Sequence, residues 1–257
     1  MRTVLLYLIL LTSSSLFAQK FNVYKGDTIN RVDKNGLKQG EWRKYYPNDT
    51  LFYEGHYKND QRVGKFIHYY KDGKIKTISI FSDNGKKAEV NNYYKNGKVM
   101  GSGNYFEEKK DGPWKYYDET EKLTGEEFYE KGVQQGVWTT YYQNGNKVEE
   151  ITWKDGKKTG PWIQYFKDQK VKFEGVLKDG NIEGLFKGYH PNGNLWMKGK
   201  YVNGLKDSTW DIYNEKNPAE PEYKEEYKKG VLLNPRNDAG TEIDIEKHDE
   251  EKKKDEE

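Results

Sequence analysis

Three glutamates recur at one place in a repeating pattern: Glu54, Glu150 and Glu174, the last two 24 residues apart. Two carboxylates held ~5–10 Å apart can act as acid and base in glycoside hydrolysis. On adjacent β-hairpins equivalent residues lie two strand spacings apart, near ~9.5–10 Å, which suits Glu150 and Glu174. In-register glutamates also arise for a plainer reason, cross-strand pairing with lysine. No catalytic motif accompanies them, so the structural role is the one expected. The remaining chemistry is sparse. His56, His68, His190 and His248 stand alone, and the chain has no cysteine, which removes the usual zinc spacings. Asp/Asn-rich turns fit hairpin geometry better than a calcium loop. Gly156-Lys157-Lys158-Thr159 lacks the upstream glycine of a phosphate loop, and Gly101-Ser102-Gly103 lacks the third glycine of a dinucleotide fingerprint. The expectation is a non-enzymatic protein with no catalytic residue, no cofactor and no metal site.

What could position such residues is a 24-residue repeat. Steps of 24 from Gly40 land on Gly64, Ala88, Gly112, Gly136, Gly160, Gly184 and Ser208, all small. Two residues after each start come Trp42, Phe66, Val90, Trp114, Trp138, Trp162, Phe186 and Trp210. Five residues after each come Tyr45, Tyr69, Tyr93, Tyr117, Tyr141, Tyr165, Tyr189 and Tyr213, without exception. The second half of the unit carries a further bulky column at position 17: Tyr57, Phe81, Tyr105, Tyr129, Trp153, Leu177 and Tyr201. Turn signals such as Lys71-Asp72-Gly73, Lys95-Asn96-Gly97 and Lys154-Asp155-Gly156 separate the bulky stretches. Each unit therefore reads strand, turn, strand, turn. The fold expected is all-β, an elongated single antiparallel sheet of stacked β-hairpins with about 14–16 strands.

Composition agrees. Aromatics make up 15% of the 257 residues while hydrophobic residues reach only 33%, so packing must rest on rings rather than aliphatic filling. Gly55, Gly103, Gly175 and Gly199 fall at position 15, beside the aromatic at 17, and ring-over-glycine stacking is the expected substitute for an aliphatic core. Positions 2 and 5 face opposite sides of a regular strand, so either the strand bulges between them or both faces carry rings. The tryptophan and tyrosine columns (Trp42, Trp114, Trp138, Trp162, Trp210 and the eight tyrosines at position 5) form a structural ladder and a candidate binding surface.

At the N-terminus, Arg2, the apolar run Val4 to Leu11 and Ala18 before Gln19 have the layout of a secretory signal peptide. The domain plan is residues 1–18 signal peptide, 19–39 cap or partial repeat, 40–233 repeat array, and 234–257 a charged, disordered tail. The chain is expected to be exported to the periplasm or the outside of the cell. A net charge of +2 from 44 basic and 42 acidic residues argues against nucleic-acid binding.

The stretch Tyr53-Glu54-Gly55-His56-Tyr57 through Gly64-Lys65-Phe66 resembles the MORN repeat (membrane occupation and recognition nexus), and Phe173-Glu174-Gly175 through Gly184 repeats it less faithfully. The Gly-x-Trp-x-x-Tyr-Tyr spacing followed by Asn-Gly is similar to the bacterial variant, in proteins often labelled antitoxin-like. The resemblance spans residues 30–230 and implies stacked hairpins with a binding or scaffolding role. The expected partner is a protein. Envelope glycans or lipid headgroups, met through Lys86, Lys87, Lys157 and Lys158, are the alternative, a toxin-neutralising role is a third reading, and open sheet ends allow self-association.

Overall fold

The computed structural model describes residues 20–234 except 25, 217 and 218. The expected signal peptide, residues 1–18, and all of the expected tail, residues 234–257, except Asn234 lie outside the described residues. Among those described, twenty-one strands form one antiparallel sheet, joined by a single 3-10 turn, Asp83–Gly85, and no α-helix. Each strand pairs with the one before and the one after it, as stacked hairpins require. Val133–Gln134 with Gly136–Tyr141, and Asn181–Ile182 with Gly184–Tyr189, are each two halves of one strand interrupted by a bulge.

The sheet is wider than the 14–16 strands expected, because its ends pair as well. Lys20–Tyr24 and Asp27–Val32 make a hairpin before the first full unit, and Tyr223–Lys228 and Val231–Leu232 extend the last. Short two-residue turns carry the left-handed angles that tight hairpins need; Asn59 and Asp60 take φ 52° and 64°.

A second irregularity recurs in each unit but one. Glu54 pairs with Ile67 and His56 with Val63, so Gly55 alone faces the three residues 64–66. Gly64 opens that bulge at φ 66°, and Gly112 does the same at φ 74°. Glycine is needed there because a Cβ in the left-handed region costs ~1–2 kcal/mol. Ser208 bears that cost at φ 60°. Where Ala88 replaces the glycine, the bulge is gone: pairing runs unbroken from Thr77↔Asn92 to Ser82↔Lys87. The two residues freed lengthen the turn at Asp83–Gly85, so the 24-residue period survives.

Rings on one face hold the units together. The ring that covers each glycine comes from position 2 of the following unit, not from position 17 as the sequence suggested. A Cβ built on Gly55, Gly103 or Gly199 would overlap the rings of Phe66, Trp114 and Trp210. The reason is geometric. Residues 15 and 17 stand side by side along one strand, about 6.8 Å apart, whereas the residue across the ladder is close enough to lie over the bare backbone. The position-17 ring instead stands edge-on to that cover: Tyr57 on Phe66 (centroids 5.2 Å, 85°), Tyr105 on Trp114 (5.1 Å, 80°) and Tyr201 on Trp210 (5.0 Å, 87°). Rings that lie on a glycine are the most deeply buried, Phe66, Trp114 and Trp210 at 2% exposure or less. Trp138 and Trp162 are only half-buried, because Glu127 and Ile151 hold the glycine's place opposite them. Each fully buried side chain of this size contributes about 1.5–3 kcal/mol.

Candidate binding surface

Strand alternation sorts every position onto one of two faces. Positions 2, 15 and 17 make the ring face. Positions 3, 5, 14 and 16 make the opposite face, together with position 1. Trp42, Trp114, Trp138, Trp162 and Trp210 therefore point away from Tyr45, Tyr69, Tyr93, Tyr117, Tyr141, Tyr165, Tyr189 and Tyr213. Both faces carry rings, and the strand does not bulge between positions 2 and 5. None of the thirteen is exposed: Trp114, Trp210 and Tyr213 are buried and the other ten half-buried. The ladder does not present an open aromatic row.

On the tyrosine face one row of charges crosses the sheet. Register partners run from Arg43 through Glu54, Ile67 and Ile78, and later through Lys115, Glu126, Thr139, Glu150, Ile163, Glu174, Lys187, Lys198 and Asp211. The glutamates singled out as possible catalysts lie in this row and are bound by their neighbours. Tyr69 donates to Glu54 (2.6 Å), Tyr141 to Glu126 (2.6 Å), Tyr165 to Glu150 (2.5 Å) and Tyr189 to Glu174 (2.7 Å). Cations complete the set: Arg43 to Glu54 at 3.6 Å, Lys115 to Glu126 at 3.0 Å, Lys187 to Glu174 at 2.9 Å. The hydrogen bonds from Tyr141 and Tyr189 hold the carboxyls of Glu126 and Glu174 below the usual range. Against the upward pull of burial, Lys147 and Tyr165 do the same for Glu150. These three carboxylates, each bound by a tyrosine of the following unit, fasten one unit to the next.

Two further fasteners repeat along the sheet that sequence reasoning passed over. The tyrosine at position 6 reaches a backbone carbonyl 23 residues on: Tyr46 to Tyr69 (2.9 Å), Tyr70 to Tyr93 (2.8 Å), Tyr94 to Tyr117 (2.8 Å) and Tyr142 to Tyr165 (3.0 Å). On the ring face, a lysine two residues before the unit start caps the rings: Lys38 over Trp42 (4.7 Å), Lys110 over Trp114 (4.6 Å) and Lys206 over Trp210 (4.4 Å). Both columns were visible at the same 24-residue step.

Beside the charged row, positions 1 and 16 carry a feature that does not recur in every unit. Pro113 pairs with Phe128, Val137 with Thr152 and Pro161 with Val176, and Leu185 follows across the next bulge. These seven residues form one stripe across seven strands, about 29 Å long at one strand spacing per residue. Phe128 is 44% exposed, Val137 54%, Val176 47% and Leu185 60%. The stripe is confined to four consecutive units. At the same position 1, the other units carry Glu41, Lys65, Glu89 and Thr209.

The MORN repeat variant matches residues 38–59, 62–83, 110–131, 134–155 and 182–203, windows set 24 or 48 residues apart. The chain is a MORN-repeat protein. MORN repeats are in general protein- or membrane-binding modules, and here the matched windows each enclose one hairpin of the stack. Two windows of the period are left out: the one between residues 83 and 110 contains Ala88 and Val90 in place of the glycine and the ring, and the one between 155 and 182 keeps Gly160 and Trp162. No curated protein matches the MORN chain. Among solved structures, it is similar to a Staphylococcus aureus TarM mutant in complex with fondaparinux, alpha-GlcNAc-glycerol and UDP (11% identity, 37% of this chain, 19% of that chain, TM-score 0.29). It is also similar to the pneumococcal O-GlcNAc transferase GtfA in complex with UDP and GlcNAc (21% identity, 37% and 19% covered, TM-score 0.25) and to TcdB2-TccC3 (10% identity, 81% and 15% covered, TM-score 0.19). The MORN chain thus spans less than a fifth of each of these chains. Superpositions this loose assign neither fold nor ligand.

Proposed function

We propose that the chain is an exported, non-enzymatic binding module that receives a protein partner along the stripe from Pro113 to Leu185. The observation that carries this reading is the confinement of the stripe to four units. A residue type needed for stacking recurs in every unit, and this one does not, while Phe128, Val137, Val176 and Leu185 stay exposed on either side of the half-buried Thr152. Apolar area flanked by ordered charge is the usual composition of a protein-binding surface. Membrane or glycan binding through lysine turns gains less support, because each of the lysines proposed for it is engaged. Lys86 pairs with Glu107 at 3.4 Å, Lys87 with Asp83 at 3.6 Å and Lys157 with Asp179 at 3.0 Å, while Lys158 lies over Trp153. The export element of the proposal rests on Arg2, the apolar run after it, and Ala18.

A photo-crosslinking residue placed at Val137 or Leu185 in the producing cell tests the reading. A discrete protein adduct from both sites, absent from Glu41 and Thr209 and abolished by V137K/L185K, is the expected outcome. An exported toxin in that adduct would specify the antitoxin-like version. Equal labelling from all four sites, or sedimentation with anionic vesicles and no adduct, would overturn it. Export is checked on the same material: the mature chain should begin at Gln19 in a non-cytoplasmic fraction.

A further inference from the structure

The ring face has one missing rung. Of the eight units, only the one opening at Ala88 has no ring at position 2; Val90 stands there. The glycine that would receive that ring is also gone, replaced by Ser79, which pairs directly with Val90. A ring at 90 would meet the Ser79 side chain, as Trp162 meets Ile151. Beneath the gap, Ser79 and Val90 form a floor exposed by only 6% and 7%. Above them a cavity of about 380 Å³ opens, walled by Phe81 and Tyr105. That volume lies in the range of sites that enclose small ligands.

The walls cannot swing inward to close it. Phe81 is held edge-on to Phe66 (5.2 Å) and Tyr105 edge-on to Trp114 (5.1 Å), so the rungs on either side keep the spacing of a complete ladder. The rim is built as well. The lengthened turn Asp83–Gly85 packs against the backbone of Arg62, where a Cβ on Gly85 would come within 3.0 Å of the Arg62 carbonyl oxygen. Arg62 in turn lies over Phe81 and reaches Glu108, 46 residues away, across the gap. Arg62 is held by Glu108 and Lys86 by Glu107 at 3.4 Å, which leaves Lys76 as the lining cation in excess of the carboxylates around it. Burial holds the His68 imidazole below its ordinary value, so it supplies a neutral ring at the end of the cavity.

We propose that this gap is a ligand site for an aromatic ring bearing a carboxylate, the ring taking the place of the missing rung and the carboxylate meeting Lys76. A ring is the shape left out of a ladder whose other rungs are rings, and edge-to-face contact with Phe81 and Tyr105 would repeat the geometry found at Phe66, Trp114 and Trp210. The anion follows from the cation left in excess at Lys76. The site lies on the face opposite the apolar stripe and is independent of it.

The test is amide chemical-shift mapping on the full chain with N-acetyl-L-tryptophan, N-acetyl-L-tryptophanamide, and a terminally blocked peptide carrying an internal Trp-Glu. Saturable shifts confined to Thr77, Ser79, Val90 and Asn92 are expected with the acid, and the amide should bind roughly threefold to fivefold more weakly. Tighter binding of the peptide would make the source a polypeptide, tighter binding of the free acid a small molecule. The double variant S79G/V90W restores the rung and should lose binding at least tenfold while unfolding at or above the parent temperature. K76Q, which leaves the floor intact, should bring the acid down to the level of the amide. Absence of saturable shifts with all three probes, or S79G/V90W binding like the parent, would overturn the proposal.

Discussion

Gly199 and Gly175 occupy the same place in consecutive units, yet their surroundings differ. A Cβ on Gly199 would overlap the fully buried Trp210 ring, whereas on Gly175 the nearest atom of Phe186 lies 3.5 Å away, an ordinary contact. G199A is therefore expected to cost about 1–3 kcal/mol through overpacking, and G175A to be neutral or to gain up to ~1 kcal/mol. Urea unfolding followed by tryptophan fluorescence separates the two. The tyrosine–glutamate fasteners make a pH prediction. Burial, and then the hydrogen bond to its glutamate, pushes the hydroxyl of Tyr165 up to about 12 from an ordinary value of 10.0, and Tyr69, Tyr141 and Tyr189 behave alike. The folded chain favours the neutral phenol, so this stabilisation is complete below pH 10 and is lost as pH rises through about 12. The glutamates run the other way: held below their ordinary 4.5, they add stability above that value and lose it as pH falls through the lowered one. Unfolding free energy should be flat between about pH 7 and 10 and decline on either side, first below 6.5, where the unfolded chain protonates His68 and the folded chain resists it. Y165F should reduce the alkaline decline; an unchanged slope above pH 10 would show that the hydroxyl is not held as described.

At the level of the hairpin, the unit keeps its length by exchanging a bulge for a longer turn. Ser208 sits at φ 60° where most units have glycine, so S208G should stabilise by about 0.5–1 kcal/mol once the strain is weighed against glycine's entropy. Ala88, in the unbulged unit, needs no glycine, and A88G should destabilise by a similar ~0.5–1 kcal/mol. Opposite shifts in melting temperature are the check. Much of this element was legible in the sequence, because columns at positions 2, 5 and 17 keep their type and a period of 24 returns each to the same face. The partner of each glycine was not legible. Neighbours in sequence, such as Gly55 and Tyr57, suggested the cover, while the actual cover, Phe66, lies across a bulge whose register only the paired strands define. The outer strands were undercounted for a related reason: the segment 20–32 lacks the columns but pairs all the same.

Across the whole sheet the two faces divide the work. Rings, capping lysines and glycine seats on one side fix the stacking, with one rung left out; tyrosine–glutamate fasteners on the other leave an apolar stripe uncovered. The stripe escaped sequence reading because it alternates between two columns, positions 1 and 16, whose residue type changes from unit to unit, and only pairing across strands brings Pro113, Phe128, Val137, Val176 and Leu185 into one line. If that stripe is for a partner, folding should not need it. Thermal unfolding of V137K, V176K and L185K, each made singly, measures this directly. Each should melt within about 1–2 °C of the parent, since an exposed position away from packing changes stability by no more than about 0.5 kcal/mol and 1 kcal/mol is about 2–4 °C at this size. A drop comparable to that of G199A would mean that the stripe is part of what holds the sheet together, and would contradict the division of labour between the faces.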